Sequence, residues 1–331
     1  MKKIRVGVIG TGYMGKNHLR VYSKMEGVKL VAFSDLDEQL VSDFSKQYDI
    51  RGYHNYLDLL EKEDIDAVSI TVPTLLHRKV IEDVFSYNKH VLVEKPITGS
   101  VDEATSLIKT AKKKKLILMV GHVERFNPAI LKMKELIKIK HLGEIVSLSS
   151  RRIGPYIHRA RDTGVLIDLA IHDIDVMRFL IERNVKEVYA KIGPKKTQFE
   201  DYASILLEFE EDILGSIEVN RLTPTKIRRL SLTFTEGFAT IDYITQTIVA
   251  YSKLLDTSYK DYLDLVSKFG NPKKEKPKVK KQEPLKLEIQ HFMECIKYNK
   301  KPVVDGMEGL KNLEIAMKAL RSAQSDDVKK E

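Results

Sequence analysis

The stretch Ile4-Arg-Val-Gly-Val-Ile-Gly10-Thr-Gly12-Tyr-Met-Gly15-Lys-Asn-His18 decides the fold. An apolar strand, Ile4 to Ile9, runs directly into Gly10-x-Gly12-x-x-Gly15, and a helical pattern follows. Glycines at those places allow a tight turn, close approach of a phosphate and close helix-to-strand packing, while the helix N terminus faces the anion. The expectation is a dinucleotide diphosphate site built from Gly10, Thr11, Gly12, Tyr13, Met14 and Gly15. A second strand, Val28 to Phe33, ends in Ser34-Asp35, twenty residues beyond Gly15. That is the usual separation for a carboxylate that accepts hydrogen bonds from the adenosine ribose, although a solvated loop aspartate would look the same. Asp35 is followed by Leu36, Asp37 and Glu38, with no arginine or lysine to hold an extra phosphate. NAD is therefore expected over NADP.

Working outward, the first 120 residues alternate apolar strands with helical patterns, as a parallel sheet covered on both faces requires. Further strands are expected at Ala67 to Ile70, His90 to Val93 and Ile117 to Val120, with helices at Leu75 to Tyr87 and Ser100 to Lys113. Ser100 and Glu103 have the spacing of a capping box. Residues 1–120 thus read as a Rossmann dinucleotide-binding domain. Residues 121–331 follow another pattern. After a helix near Pro128 to Ile139 come Ile145 to Arg152, Val188 to Ile192, Ala203 to Phe209, Leu214 to Val219, Arg229 to Thr235 and Phe238 to Ile244. Many alternate and are joined by short turns, which implies a largely antiparallel sheet. Helices at Leu166 to Leu180, Leu285 to Tyr298 and Glu308 to Ala323 make this second domain α+β, and the terminal helix is free to return to the first. The whole is an α/β protein with a substrate and oligomerisation domain. An open sheet needs one face buried by helices and can bury the other on a second copy, so a homodimer or homotetramer is expected.

Composition sets limits. A chain of 331 residues can bury two substantial cores. The formal charge of +9 concentrates between Lys273 and Lys286, where seven lysines stand against two glutamates. Gly270-Asn-Pro, Pro277 and Pro284 make that segment, near 270–284, an exposed lysine-rich loop. It interleaves no aromatics and carries no nucleic-acid motif, so nucleic acid is not an expected partner. No 18-residue uncharged apolar run is present and the first apolar segment is the glycine-bearing strand itself, so neither a membrane span nor a secretory start is read and the cytoplasm is the expected location. Cys295, the only cysteine, excludes an internal disulfide and any multi-cysteine metal site, and no metal is expected.

Three constellations fall at the carboxyl ends of strands, where open α/β folds collect ligands. Thr71-Val-Pro73-Thr74 with His77 offers polar groups to a cofactor, or simply a cap for the next helix. Glu94-Lys95-Pro96 puts a lysine where it can stabilise a developing alkoxide or relay its proton, or makes only a surface salt bridge. Asp168-Leu-Ala-Ile-His172-Asp173 sets Asp168 and His172 at i and i+4, on one helical face, where both could meet a hydroxyl while Asp173 points elsewhere. A histidine titrates where proton uptake from an alcohol is useful, and an aspartate can fix its tautomer. A capping aspartate and a satisfied core histidine would give the same residues.

Taken together, Gly10-x-Gly12-x-x-Gly15, Asp35, Glu94-Lys95-Pro96, and Asp168 with His172, in this order over nearly the whole chain, resemble the glucose-fructose oxidoreductase, inositol dehydrogenase and MocA family. The resemblance implies that Lys95, Asp168 and His172 are catalytic, with Lys95 and His172 flanking the reacting carbinol and Asp168 binding or orienting nearby. Cofactor contacts are expected from the glycine loop, Asp35, Thr71, Pro73, Thr74, His77, Glu94 and Lys95. Many members have a run of glycines before the aspartate, whereas Asp162-Thr-Gly164-Val-Leu-Ile-Asp168 keeps only Gly164. Gly121-His122-Val-Glu-Arg125-Phe-Asn127-Pro-Ala resembles the branch that oxidises UDP-N-acetylglucosamine at its 3-hydroxyl, with related hexosamine or uronate enzymes. On that basis His122, Arg125 and Asn127 are expected substrate contacts, against the plainer account of a helix cap and an arginine paired to an acid. Arg151, Arg152, Tyr156, His158, Arg159 and Arg161 gather before Asp168, and from them Tyr156 and Arg159 are taken as substrate contacts for a sugar, uracil or diphosphate. The implied function is NAD-dependent oxidation of UDP-N-acetylglucosamine to its 3-keto form. The alternatives are another UDP-N-acetylhexosamine or uronate dehydrogenase, a free polyol or inositol dehydrogenase, and an NAD-binding regulator without turnover.

Overall fold

A computed structural model describes residues 3–156, 163–252, 260–263 and 273–325. The chain divides into two compact units, residues 1–123 with 283–314, and residues 124–282 with 315–331.

The first unit is built on β1 (Ile4–Ile9), α1 (Gly15–Ser23), β2 (Val28–Ser34), α2 (Glu38–Tyr48), β3 (Arg51–Tyr53), α3 (Tyr56–Lys62), β4 (Ala67–Ile70), α4 (Thr74–Ser86), β5 (His90–Glu94), α5 (Val101–Lys114) and β6 (Leu118–Gly121). Its sheet runs in the order β3-β2-β1-β4-β5-β6, and every pairing is parallel. Val6, Val8, Ile70, Val91 and Val93 are wholly buried, so the middle of the sheet is apolar, as a sheet covered on both faces demands. The order reverses between β2-β1 and β4, which puts the topological switch at the carboxyl end of β1, where the glycine loop begins. Ser100 caps α5 by accepting the Glu103 amide at 3.3 Å. Glu103 itself faces Arg78, so the cap is made from one side.

The second unit contains α6 (Pro128–Lys138), β7 (Ile145–Ile153), α7 (Ile171–Ile181), β8 (Val185–Gly193), β9 (Tyr202–Phe209), β10 (Leu214–Asn220), β11 (Ile227–Phe234), β12 (Gly237–Asp242), β13 (Thr247–Ser252) and β14 (Lys273–Glu275). Among these described strands the order is β14-β13-β12-β11-β7-β10-β9-β8. β10 runs parallel to β7 and the other pairings are antiparallel. Alternation along β9 buries Ala203, Ile205, Leu207 and Phe209 on the core face. The C-terminal helices are α8 (Pro284–Tyr298), in the first unit, and α9 (Gly306–Ser325), whose residues up to Glu314 belong to the first unit and the remainder to the second.

Two expectations need correction. The start of the lysine-rich loop is an edge strand, Lys273–Glu275 pairing with Ala250–Ser252. Backbone groups make that ladder whatever the side chains, and lysines facing solvent suit an edge that must not pair further. The expected regular helix from Leu166 begins as a π-helical turn, Leu166–Ala170, before α7 takes over. Asp168 therefore sits on a wider turn than i, i+4 spacing assumes. Among the described residues no helix is long and apolar enough to cross a membrane, and no group of side chains could hold a metal ion.

Candidate active site

In the first unit the glycine loop is shaped by contacts that no side chain could tolerate. Gly10 has φ +85°, a region L-residues rarely adopt, and a Cβ on Gly15 would stand 2.0 Å from the Gly10 carbonyl oxygen. Thr71, just after β4, donates its hydroxyl to that same carbonyl at 2.6 Å, so it braces the loop from beneath. A Cβ on Gly12 would meet nothing within 4 Å. No side chain caps the N terminus of α1 at Met14, and Tyr13 projects outward, 65% exposed. Open space over Gly12 and an uncapped helix N terminus fit the diphosphate of a dinucleotide.

Asp35 closes the loop from the side. Its Oδ2 accepts the Thr11 amide at 2.5 Å and the Thr11 hydroxyl at 2.8 Å, and its Oδ1 accepts the Asp37 amide at 3.0 Å. A carboxylate has about four acceptor positions, so capacity remains for a ribose hydroxyl. Asp37 is the N-cap of α2, accepting from Gln39 and Leu40. Arg51 lies in register with Ala32 and pairs with Glu63.

Pro73 sits at the N-cap of α4 and Thr74 opens that helix. His77 is buried, with Nδ1 at 2.8 Å from the Pro96 carbonyl and Nε2 at 3.0 Å from the Val72 carbonyl. It ties together the turns that end β4 and β5, and burial lowers its pKa against the pull of those carbonyls. Glu94 ends β5. Its Oε1 lies 3.2 Å from His18 Nε2 and its Oε2 accepts the Lys95 amide at 3.4 Å. Burial alone would raise the Glu94 pKa, but the His18 contact and the charge of Lys95 outweigh it and hold the carboxyl below its ordinary value. Lys95 is half-buried, and His122 is fully buried with Nε2 at 3.2 Å from Asn312 Nδ2.

The second unit carries Asp168 and His172. The Leu166 amide is held by Glu200 Oε1 at 3.1 Å and the Asp168 amide by the Gly164 carbonyl at 2.9 Å. A Cβ on Gly164 would fall 1.9 Å from the Glu200 carboxyl carbon, so a side chain there would have to displace that carboxylate. Asp168 Oδ2 stands 3.7 Å from Arg221 Nη2. Arg221 is 2% exposed, and its guanidinium makes no hydrogen bond among the described residues. Arg228 donates to the Ile153 carbonyl at 2.6 Å, and burial, then repulsion from Arg152, pulls its pKa down to about 10.

A buried ionic layer involves the residues that follow His172 on α7. Arg152 grips Asp173 and reaches Glu124. Arg125 grips Asp175 with Nε at 2.8 and 2.9 Å. Asn127 caps α6 through the Ala129 amide at 3.1 Å and donates to the Tyr243 carbonyl, also at 3.1 Å. Arg125, Asn127 and His122 thus have internal partners. Arg151 pairs with Glu218 at the surface, Tyr156 is half-buried, and His158, Arg159 and Arg161 lie outside the described residues. Sequence reasoning did not single out His18, Glu200, Arg221 or Arg228. Their partners are distant in sequence, and only the position of His18, three residues past Gly15, offered a hint.

The sequence model "Oxidoreductase family, NAD-binding Rossmann fold" matches residues 4–122, and "GFO/IDH/MocA C-terminal domain" matches residues 130–240. The chain belongs to the GFO/IDH/MocA oxidoreductase family. It is accordingly an NAD-dependent oxidoreductase of a family acting on sugars and polyols. The chain is 30% identical to the uncharacterized oxidoreductase YrbE of Bacillus subtilis, over 97% of this chain and 94% of that protein. It is 26% identical to UDP-N-acetylglucosamine 3-dehydrogenase of Acidithiobacillus ferrooxidans, over 96% of each. The solved structure of that enzyme, GnnA, superposes with a TM-score of 0.86, at 25% identity and covering 98% of this chain and 99% of the other. Scyllo-inositol 2-dehydrogenase of Bacillus subtilis is 27% identical over 97% of this chain and 94% of that protein.

Proposed function

We propose that this GFO/IDH/MocA protein oxidises UDP-N-acetylglucosamine at C3 to the 3-keto nucleotide sugar. The observation that carries the reading is full-length similarity to an enzyme of that name together with Lys95, Asp168 and His172 in the family's order. The glycine loop, Asp35, Thr71, Pro73 and Thr74 hold NAD, which when bound supplies the hydride acceptor. His172 takes the proton of the C3 hydroxyl, Lys95 steadies the alkoxide as the C3 hydride leaves, and Asp168 holds the neighbouring hydroxyl. Arg221 and Arg228 near Asp168 add positive charge on the side of a substrate that carries a diphosphate.

Similarity to the inositol dehydrogenase favours a second reading, a free polyol at the same catalytic set. The two separate in one assay. Purified protein with NAD is offered the nucleotide sugar or inositol, NADH is removed, and the product is identified by mass and NMR. A 3-keto UDP sugar supports the first reading, and turnover of inositol with none of the nucleotide sugar replaces it with the second. Self-association through the outer face of the large sheet belongs to the same proposal. Val146, Tyr189, Leu206, Leu214 and Phe238 are 38–49% exposed there, an apolar surface of the kind a second copy covers.

A further inference from the structure

Helix α1 carries a histidine that the diphosphate site does not use. His18 is 1% exposed, packed inside the first unit. Its Nδ1 lies 3.0 Å from Ser69 Oγ on β4, and Ser69 Oγ lies 2.8 Å from the Tyr22 hydroxyl, one turn further along α1. Its Nε2 lies 3.2 Å from Glu94 Oε1. Counting donors for a neutral imidazole gives this chain one direction. The Glu94 carboxylate only accepts, so the Nε2 hydrogen must be on the histidine. In the neutral tautomer with its hydrogen on Nε2, Nδ1 accepts from the Ser69 hydroxyl, and Ser69 in turn accepts from Tyr22, whose hydroxyl burial keeps protonated. The order is Tyr22 to Ser69 to His18 to Glu94, and the second Glu94 oxygen receives the Lys95 amide.

We propose that His18 is a positioning residue for Lys95. It holds the Glu94 carboxylate in the one orientation in which Oε2 meets the Lys95 amide, and Ser69 and Tyr22 set the tautomer that lets it do so. The helix whose N terminus faces the cofactor diphosphate is thereby joined to the turn that bears the lysine. A second-layer histidine oriented by a hydroxyl and orienting a carboxylate is the arrangement by which side-chain geometry is held within a fraction of an ångström. The proposal rests on the reading of Lys95 as a hydride-site residue.

The test compares His18→Gln and His18→Asn in the full chain. A glutamine amide can take the place of Nε2 and still donate to Glu94, whereas an asparagine amide reaches only the Ser69 side. Two readouts are used, hydrogen exchange of the peptide containing the Lys95 amide, and NAD-dependent turnover of whichever of UDP-N-acetylglucosamine and inositol the wild type oxidises. Pro96 has no amide, so the Lys95 signal is separable from the following turn. H18N should speed exchange at Lys95 by about 10-fold or more. It should lower kcat by about 10- to 100-fold, with NADH affinity changed by less than about threefold. H18Q should recover most of both losses. Equal exchange in H18N and the wild type, or equal turnover of H18N and H18Q, would overturn the proposal. Should H18N fail to fold, Ser69→Ala decides, since faster Lys95 exchange supports the chain and unchanged exchange removes it. If the wild type oxidises neither nucleotide sugars nor polyols, the functional reading fails while exchange still judges the positioning role.

Discussion

Arg152 Nε and Asp173 Oδ2 are 2.6 Å apart in a pair whose side chains are 5% and 0% exposed, one residue along the chain from His172. Asp173 also accepts the Ser150 hydroxyl at 2.6 Å, so the carboxylate is satisfied on both oxygens. The pair pins the first turn of α7 to β7, and through it the backbone of His172. Removing one member leaves a buried charge uncompensated. Arg152→Ala and Asp173→Asn should each cost about 3–5 kcal/mol in urea unfolding. Loss below about 1 kcal/mol would mean the pair is not a structural anchor.

Gly12 and Gly15 should fail differently. A methyl at Gly15 collides with the Gly10 carbonyl, so Gly15→Ala should lower stability by about 1–3 kcal/mol. A methyl at Gly12 enters open space. Gly12→Ala should unfold at the wild-type temperature yet bind NADH about 10-fold or more weakly, because the methyl occupies the path of the diphosphate. Fluorescence titration beside a thermal melt separates the two effects.

Asp35 should set the preference for NAD over NADP. A carboxylate there would accept from ribose hydroxyls and repel a 2′-phosphate, and Arg51 is engaged with Glu63. Asp35→Ala removes a charged acceptor and should weaken NAD by about 10- to 100-fold while leaving NADP little changed. Ratios of kcat/KM for the two cofactors measure this. Because Asp35 also holds Thr11, a control melt should show only a small loss.

Asp201 gives the fold an acid-sensitive point. Burial works to raise its pKa, but amides of Lys195, Lys196 and Thr197 and the Thr197 hydroxyl hold it at about 2. A carboxyl depressed in the folded state adds stability that is fully present above its unfolded value and is lost as pH falls through the folded one. Asp201→Asn should therefore be less stable by about 1–3 kcal/mol at neutral pH. The gap should close as pH falls from about 4 to about 2, and unfolding curves at three pH values would show it.

Much of the fold was legible because period and punctuation agreed. The run from Ile4 through Gly15 names its own strand, turn and helix, and β4 and the start and end of most later elements follow from apolar runs bounded by turn residues. The Rossmann unit and the mainly antiparallel second sheet were expected and are present. What sequence could not give were features set by distant partners. Arg51-Gly-Tyr53 is too short to show a pattern and becomes a strand only beside β2. Lys273–Glu275 is masked by its charge. The π-helical turn under Asp168 depends on Glu200, far along the chain from Leu166. His18 reads as an ordinary helix residue until Ser69 and Glu94 are brought to it. Asp175 and Tyr243, the partners of Arg125 and Asn127, are likewise far along the chain.

The central claim is hydride removal from C3 of a UDP-N-acetylhexosamine. The most direct measurement uses UDP-N-acetylglucosamine carrying deuterium at C3 and nowhere else, incubated with the protein and NAD, with the reduced cofactor analysed by mass spectrometry. The account predicts NADH one mass unit heavier, a 3-keto product, and turnover abolished by Lys95→Ala and strongly reduced by His172→Gln. Reduced cofactor without deuterium, or no reduction with this sugar alongside ready oxidation of inositol, would contradict it.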